Sequence, residues 1–526
     1  MSDADYIIVG SGINALVCAA MLGRKGRRVL VLERNDRIGG CIRTEEVTAP
    51  GFLHDVMATT FVLFVTSPAY AALGADLASR GLAFADTGTP TGVLLPDGRH
   101  AILTRDRARN IAAFNALAAG DGTAFAAEMA RLGEDAPFVF GMLGGALWST
   151  ASLRLVWREV RRRGPRGFLA FLGEALVSAR AHLESRYGSD LVRALFAPWV
   201  LHTGLGPESA YSGEMVKVIG FALEAAGAPV VKGGAGNFLA AFEKLITDQG
   251  GVLRTNADVA AIGLNARGEA GDVALADGAV VHAARGIICS VGPEQLYNRL
   301  LAALPQPAQV AEALAGFRHG KGNMQVHYAL SSRPRWKAGE LANVALLHLT
   351  PGLDGVSRAA NEAERGMLPA EPTVCLGQPT ALDPSRAPAG KAILWLQLPE
   401  APRILKGDAS GIIETPADGR WTPEVRERYA DRVEAIVARH IDGFRDGVIA
   451  RRAYSPADLE AMNINLVGGD PYGGFCGLDQ FFLWRPFKFS RSHKTHISRL
   501  YHIGASTHPG PGLGGGSGFL LAQLLR

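Results

Sequence analysis

Gly10, Gly12, Ala15 and Glu33 are the first residues of this 526-residue chain whose types and spacing can do chemistry. A glycine at 10 permits a tight turn, and one at 12 lets a pyrophosphate approach the backbone. Ala15 keeps a following helix close to the preceding strand. Ser11 and Asn14 belong to the turn and first helical residues, where free N–H groups and a positive dipole face the ligand. Glu33 stands about 20 residues further on, where an acid accepts hydrogen bonds from an adenosine ribose and disfavours a 2′-phosphate. The set implies an adenine dinucleotide other than NADP.

Three elements must position these groups: a strand at residues 6–9, a helix at 14–24 and a strand at 29–32. The residues that follow, "ERNDRIGGCIRT", choose between dinucleotides. Arg34, the Gly39–Gly40 pair, Arg43 and Thr44 resemble the extension by which FAD-binding oxidoreductases run a second glycine turn along the flavin's phosphates and ribityl chain. FAD is therefore the expected cofactor. Two further segments share this texture of short apolar strands and glycine turns. One, residues 229–293, holds a helix at 237–247, strands at 252–255 and from 259, and a hairpin turning at 276–278. The other is the C-terminal "HISRLYHIGASTHPGPGLGGGSGFLLAQLLR". The expected fold class is α/β. A Rossmann-like FAD-binding domain is assembled from residues 1–70, 229–293 and 485–526. An α+β substrate-binding lobe is inserted at 71–228, read as largely helical, and at 294–484, where a helix is expected over 423–440.

"GSGINAL…ERNDRIGGCIRT", "VKGGAGNF" and "LYHIGASTHPGPGLGGG" together resemble the phytoene desaturase and carotenoid isomerase group. "YSPADLE", "NINLVGGD", "DQFFLWRP" and "HIGASTHPG" are most similar to its pyridine-nucleotide-disulfide-oxidoreductase-like branch. The resemblance implies that the C-terminal turn covers the flavin, placing Gly504, Ala505, Ser506, Gly512, Gly515 and Gly516 on FAD. It also implies that Val259 meets the adenine through its backbone. Gly514 departs from the group, much of which has proline there.

No second strand–G-x-G-x-x-G–helix unit occurs, so an organic substrate is expected to reduce the flavin, with oxygen or a quinone reoxidising it. The expected reaction is hydride abstraction from a lipophilic or largely apolar small molecule, forming or shifting a C=C bond. An amine or hydroxy-group oxidase, a redox-neutral flavin isomerase and a non-catalytic flavoprotein partner stay open as alternatives. His508, beside the C-terminal turn, is the candidate catalytic side chain, with packing beneath the turn as its other reading. His54–Asp55 reads as a turn or flavin contact, and Lys232 as a loop residue in FAD packing. Tyr472, Phe475, Phe481, Phe482 and Trp484 are candidate tunnel or core aromatics.

Hydrophobic residues make up 48% and charged ones 20%, with 54 basic against 50 acidic side chains, so no nucleic-acid partner is expected. Five scattered cysteines without a C-x-x-C pair exclude a disulfide framework, and no metal is expected. An apolar run entering the glycine turn directly, with no signal peptide ahead of it, predicts a cytoplasmic location. "APFVFGMLGGALWSTASL" followed by "RLVWREVRRRGPRG" reads either as a solvated arginine-rich face or as a peripheral contact with an anionic membrane.

Overall fold

The computed structural model describes residues 3–525; Met1, Ser2 and Arg526 of the expected FAD-binding segments lie outside the described residues. Ala4–Val9 is buried along nearly its whole length, as a central strand of a sheet covered on both faces must be. Leu500–Ile503, Val280–Ser290, Ala4–Val9, Val29–Leu32 and Val252–Arg254 pair as parallel neighbours. The opening half of Val280–Ser290 instead runs antiparallel to Ala270–Leu275, which pairs with Val259–Leu264, completing seven strands. Ile13–Gly23 is apolar around most of its circumference and is buried accordingly. It packs with Gly236–Asp248 and Gly516–Leu524 over one face of this sheet.

A second seven-stranded sheet runs Val448–Tyr454, Gly322–Leu330, Ala392–Ala401, Val374–Gly377, Leu346–Leu349, Thr91–Leu94, His100–Leu103. Its last two strands come from the stretch expected to be largely helical. They form an antiparallel hairpin that joins Leu346–Leu349 in parallel, a long-range pairing that no local pattern reports. Pro423–Ala438 covers the sheet through Val425, Tyr429, Val433 and Val437. It starts where Thr422 accepts a hydrogen bond from the Val425 amide and ends two residues short of the expected 440. The rest of the inserted lobe is mainly helical, with Asp121–Gly144, Thr150–Ala175 and Ser212–Ala226 its longest rods. The architecture is α/β, Rossmann-like, with an inserted helical and β lobe. All five cysteines are free.

Asp55 lies where these parts meet, at the end of the short strand His54–Asp55, buried to 1% exposure. One carboxylate oxygen accepts hydrogen bonds from Thr44 Oγ1 at 2.7 Å and the Ala235 amide at 2.9 Å. The other accepts from Thr59 Oγ1 at 3.1 Å and lies 3.0 Å from a guanidinium nitrogen of fully buried Arg386. Arg386 Nε donates to the Leu53 carbonyl at 3.1 Å. Removing one member of such a pair leaves an uncompensated buried charge. Asp55→Asn should therefore cost about 3–5 kcal/mol in equilibrium unfolding, and adding Arg386→Met should recover much of that loss.

Burial also holds histidines neutral. His202, His327, His493, His502 and His508 are each pushed down to about 4, first by desolvation. In the unfolded chain the same side chains titrate near about 6.5, so there they take up protons that the folded state refuses. His319 runs the other way: it lies between Glu294 and Asp470 and is pushed up to about 9, although burial alone would lower it. Its contribution is complete below about pH 6.5 and is lost only on alkalinisation. Melting temperature should thus fall continuously between about pH 6.5 and pH 4, by more than about 5 °C in a scanning-fluorimetry series.

Candidate functional site

The carboxyl ends of the parallel strands converge on one edge, the place where ligands bind in open α/β sheets. Gly10 leaves Ala4–Val9 with φ 88°, and a Cβ there would sit 2.8 Å from the Ser290 carbonyl oxygen of the neighbouring strand. Gly12 is extended (φ −62°, ψ 169°) and precedes Ile13–Gly23, whose first turn, including Asn14 and Ala15, receives no side-chain cap. Those amides are unsatisfied donors beside the positive end of the helix dipole. Nothing lies within 4 Å of a Cβ built on Gly12, so an open cradle stands before the helix. Glu33 follows Val29–Leu32 and is buried. Its Oε2 accepts from the Ser11 amide at 3.0 Å and from Ser11 Oγ at 2.6 Å, and its Oε1 accepts from the Asn35 amide at 2.9 Å.

The second glycine pair folds back onto this turn. The Gly39 amide donates to Ser11 Oγ at 3.0 Å, and a Cβ on Gly40 would be 3.3 Å from Gly12 Cα. Thr44 Oγ1 accepts from the Gly236 amide at 2.8 Å, tying the pair to the central glycine loop. Arg43 is engaged by Glu45 at 2.6 Å, and Arg34 lies 4.0 Å from Asp258, so neither guanidinium is free of an acid. Val259 is brought close to Glu33, because the Ala257 amide donates to the Glu33 carbonyl at 2.8 Å. The Val259 carbonyl accepts from Arg299 at 3.0 Å.

The C-terminal turn, more than 480 residues away in sequence, closes over the same edge. Gly516–Leu524 begins after Gly515 (φ 66°), again without a side-chain cap. It lies so close to the first helix that a Cβ on Gly518 would collide with the Asn14 carbonyl, and the Gly518 amide donates to Asn14 Oδ1 at 3.3 Å. Two helix N-termini therefore stand side by side, with the Gly518 amide the one first-turn donor that a side chain satisfies among the described residues. Gly504 and Gly512 adopt φ 123° and 112°, whereas Gly514 is outside the left-handed region. The Ala505 carbonyl accepts from Arg485 Nε at 2.9 Å, and Ser506 Oγ is buried without a partner.

An aromatic wall backs this turn. A Cβ on Gly473 would be 2.9 Å from the Ser506 amide nitrogen, and one on Gly510 would be 2.6 Å from the Phe481 ring. Tyr472 and Phe481 are buried with Trp199, Tyr211 and Trp395 in one cluster, and Phe482 packs against it. Phe475 lies under the Arg318 guanidinium at 4.4 Å. Trp484 closes a short 3₁₀ turn, Phe482–Trp484. His508 joins the wall, its ring 6.1 Å from that of Phe482. Its Nε2 lies 2.7 Å from the Gly145 carbonyl and can donate to it, which leaves Nδ1 as a buried acceptor without a partner. Desolvation keeps the ring neutral, and His493 and Arg485 add to that effect. Lys232, by contrast, is exposed on its loop.

Sequence reasoning missed two features of this wall. Arg485 is buried and has no acidic partner among the described residues; it donates to the Tyr472 carbonyl as well as to Ala505. His202 and His348 approach Nε2 to Nε2 at 2.9 Å, with Cys375 opposite His348 on the adjacent strand, so three ligating atoms fall within 4.8 Å. These residues are 146 and 27 positions apart, a spacing that carries no metal-binding signature. The short contact is satisfied as a hydrogen bond between two neutral imidazoles, His202 lowered by burial and His348 by burial and by His202.

The profile of the flavin containing amine oxidoreductase family matches residues 16–403. Pyridine nucleotide-disulfide oxidoreductase domain-containing protein 2 of Mus musculus is 26% identical over 550 residues, spanning 98% of this chain and 92% of that protein. A neurosporene-forming phytoene desaturase of Rhodobacter capsulatus is 24% identical over 527 residues, spanning 99% and 93%. Wild-type putrescine oxidase bound to putrescine shares the fold, with a TM-score of 0.60, 16% identity and 99% of both chains covered. The open cradle at Gly12, the free first-turn amides of the two adjacent helix N-termini and the orphaned Ser506 hydroxyl fit a flavin dinucleotide at this edge. The chain belongs to the flavin containing amine oxidoreductase family and is an FAD-dependent oxidoreductase.

Proposed function

We propose that this protein removes hydride from carbon in an uncharged, largely apolar organic substrate, introducing or shifting a C=C bond. The observation that carries the reading is the wall behind the C-terminal turn, which is aromatic and, apart from Arg485, built from side chains held neutral. Asp470, a buried acid beside Tyr472, is already engaged by the amides of Gly320, Tyr472 and Gly474 and by His319, so it is not free to receive a substrate ammonium. The full-length similarity to a phytoene desaturase supports the same reading. Bound FAD supplies the two-electron acceptor, and oxygen or a quinone is the proposed final oxidant.

In this reading the amides at Gly12, Asn14 and Ala15 and those at Gly515 and Gly516 hold the pyrophosphate, and Glu33 holds the ribose. Ser11, Gly10, Gly39 and Gly40 shape the first turn, while Gly504, Ala505, Ser506 and Gly512 line the flavin side. Arg34, Arg43 and Thr44 brace these loops, and the backbone at Val259 borders the adenine. Arg485 places a buried positive charge behind Ala505, which favours electron-rich groups against that turn. His508 Nδ1 accepts a hydrogen bond from substrate or cofactor, and the aromatic wall excludes water.

The family to which the chain belongs favours a second reading, oxidation at a C–N bond of an amine. Anaerobic mixing separates the two. Lipophilic alkenes should bleach the visible flavin band of the holoprotein, while putrescine and simple alcohols should not. Bleaching by amines alone, with peroxide released in air, would replace the first reading with the second.

The cofactor site has its own test. Gly12→Ala adds a methyl that meets no protein atom, so the apoprotein should melt as wild type does. The same methyl enters the space assigned to the pyrophosphate, and FAD should bind about 5- to 150-fold more weakly, as overpacking by roughly 1–3 kcal/mol implies. Gly518→Ala, which meets the Asn14 backbone, should instead lower the melting temperature itself.

A further inference from the structure

The longest surface feature unused by this chemistry is Thr150–Ala175, whose backbone leaves the helix at Gly164 (φ 72°, ψ 161°) and divides it into two rods. In the first rod Leu153 and Trp157 lie one turn apart and are 70% and 64% exposed. At about 100° per residue, Arg161, Arg154 and Arg158 continue the same outer arc beyond Trp157. The opposite side of this rod, at Ser152 and Glu159, is buried. The second rod presents Leu169 and Leu172 along a line that Leu176 extends, with Leu169 66% exposed. Trp148, in the connection that leads into the first rod, is also exposed.

The charges sort into two groups. Arg162 and Arg163 are held by buried Asp135 and Glu159 and tie the rod to its neighbour. Arg154, Arg158, Arg161 and Arg166 make no hydrogen bond or ion pair with another side chain among the described residues. Between residues 136 and 178 the only acids are Glu159 and Glu174, and Glu174 lies 3.7 Å from Arg131. No helix among the described residues is long and apolar enough to cross a membrane.

We propose that this outer face docks on an anionic lipid surface. Leucine and tryptophan enter the boundary between headgroups and acyl chains, and the arginines reach lipid phosphates while their stems cover apolar surface. The unpaired positive charge repels a second copy of the same face and selects an anionic partner. The face is also continuous with the candidate site, since the Gly145 carbonyl at the start of the connection lies 2.7 Å from His508 Nε2. Docking would therefore set the aromatic wall beside the acyl layer. The inference does not depend on which bond the flavin oxidises.

The test is flotation of the FAD-loaded protein with phosphatidylcholine vesicles, with and without phosphatidylglycerol. Wild type should float with the anionic vesicles and be released by salt. Arg154→Glu/Arg158→Glu/Arg161→Glu should weaken partitioning by about a hundredfold or more, since each basic side chain at such a surface adds roughly fivefold. Leu153→Gln/Trp157→Gln should weaken it too, with unchanged melting temperature and flavin content certifying the fold of both variants. Absence of binding to anionic vesicles at low salt, or equal binding by the folded variants, would overturn the proposal. So would a concentration-dependent dimer abolished by Leu153→Gln/Trp157→Gln without vesicle binding, which would assign the face to a second copy.

Discussion

The Asp55 carboxylate is the constraint on which the arrangement of this molecule depends. It joins Thr44 and Thr59 of the N-terminal segment, the Ala235 amide of the central glycine loop and Arg386 of the inserted lobe. A buried ion pair earns little net stability, because both charges leave water. It does impose a strict geometry, since any sliding of one segment strands a charge in a medium that cannot solvate it. The second glycine pair, the central loop and the lobe carrying the aromatic wall are thereby held in one register around the edge of the parallel sheet.

That register explains which parts were legible in the sequence. The first turn was, because strand, glycines, helix and Glu33 lie within one short stretch and each residue type answers a local demand. The C-terminal turn was legible as glycine texture, although its docking against Asn14 was not, since that contact spans almost the whole chain. Arg386 gave no signal, because an arginine in a loop is ordinarily exposed. The hairpin Thr91–Leu94 and His100–Leu103 was lost in an alanine-rich, helical stretch, and only its pairing with Leu346–Leu349 makes it part of a sheet. His202, His348 and Cys375 meet through strand register and helix docking, neither of which leaves a periodicity to read.

The candidate site divides its electrostatics between backbone and side chain. Positive potential comes from two helix N-termini whose first-turn donors, apart from the Gly518 amide held by Asn14, have no side-chain partner, an arrangement suited to phosphate. The side chains of the aromatic wall add little charge, because burial keeps its histidines unprotonated across the physiological range. A dinucleotide's phosphates and apolar groups place opposite demands on solvation, and this division answers each in a separate part of one site.

Arg485 is the exception, and its placement links the two parts. It is buried without a counter-ion among the described residues, and it donates to carbonyls of Ala505 in the glycine turn and Tyr472 in the wall. Its guanidinium also lies over the Phe481 ring at 5.1 Å. Hydrogen bonds to two carbonyl dipoles and contact with a ring face offset part of the desolvation of that charge and part of its field, but bring no opposite net charge. A negative group bound against the turn would complete the compensation. Because one side chain bonds to both the turn and the wall, a ligand held by its charge would favour the arrangement in which the two are joined.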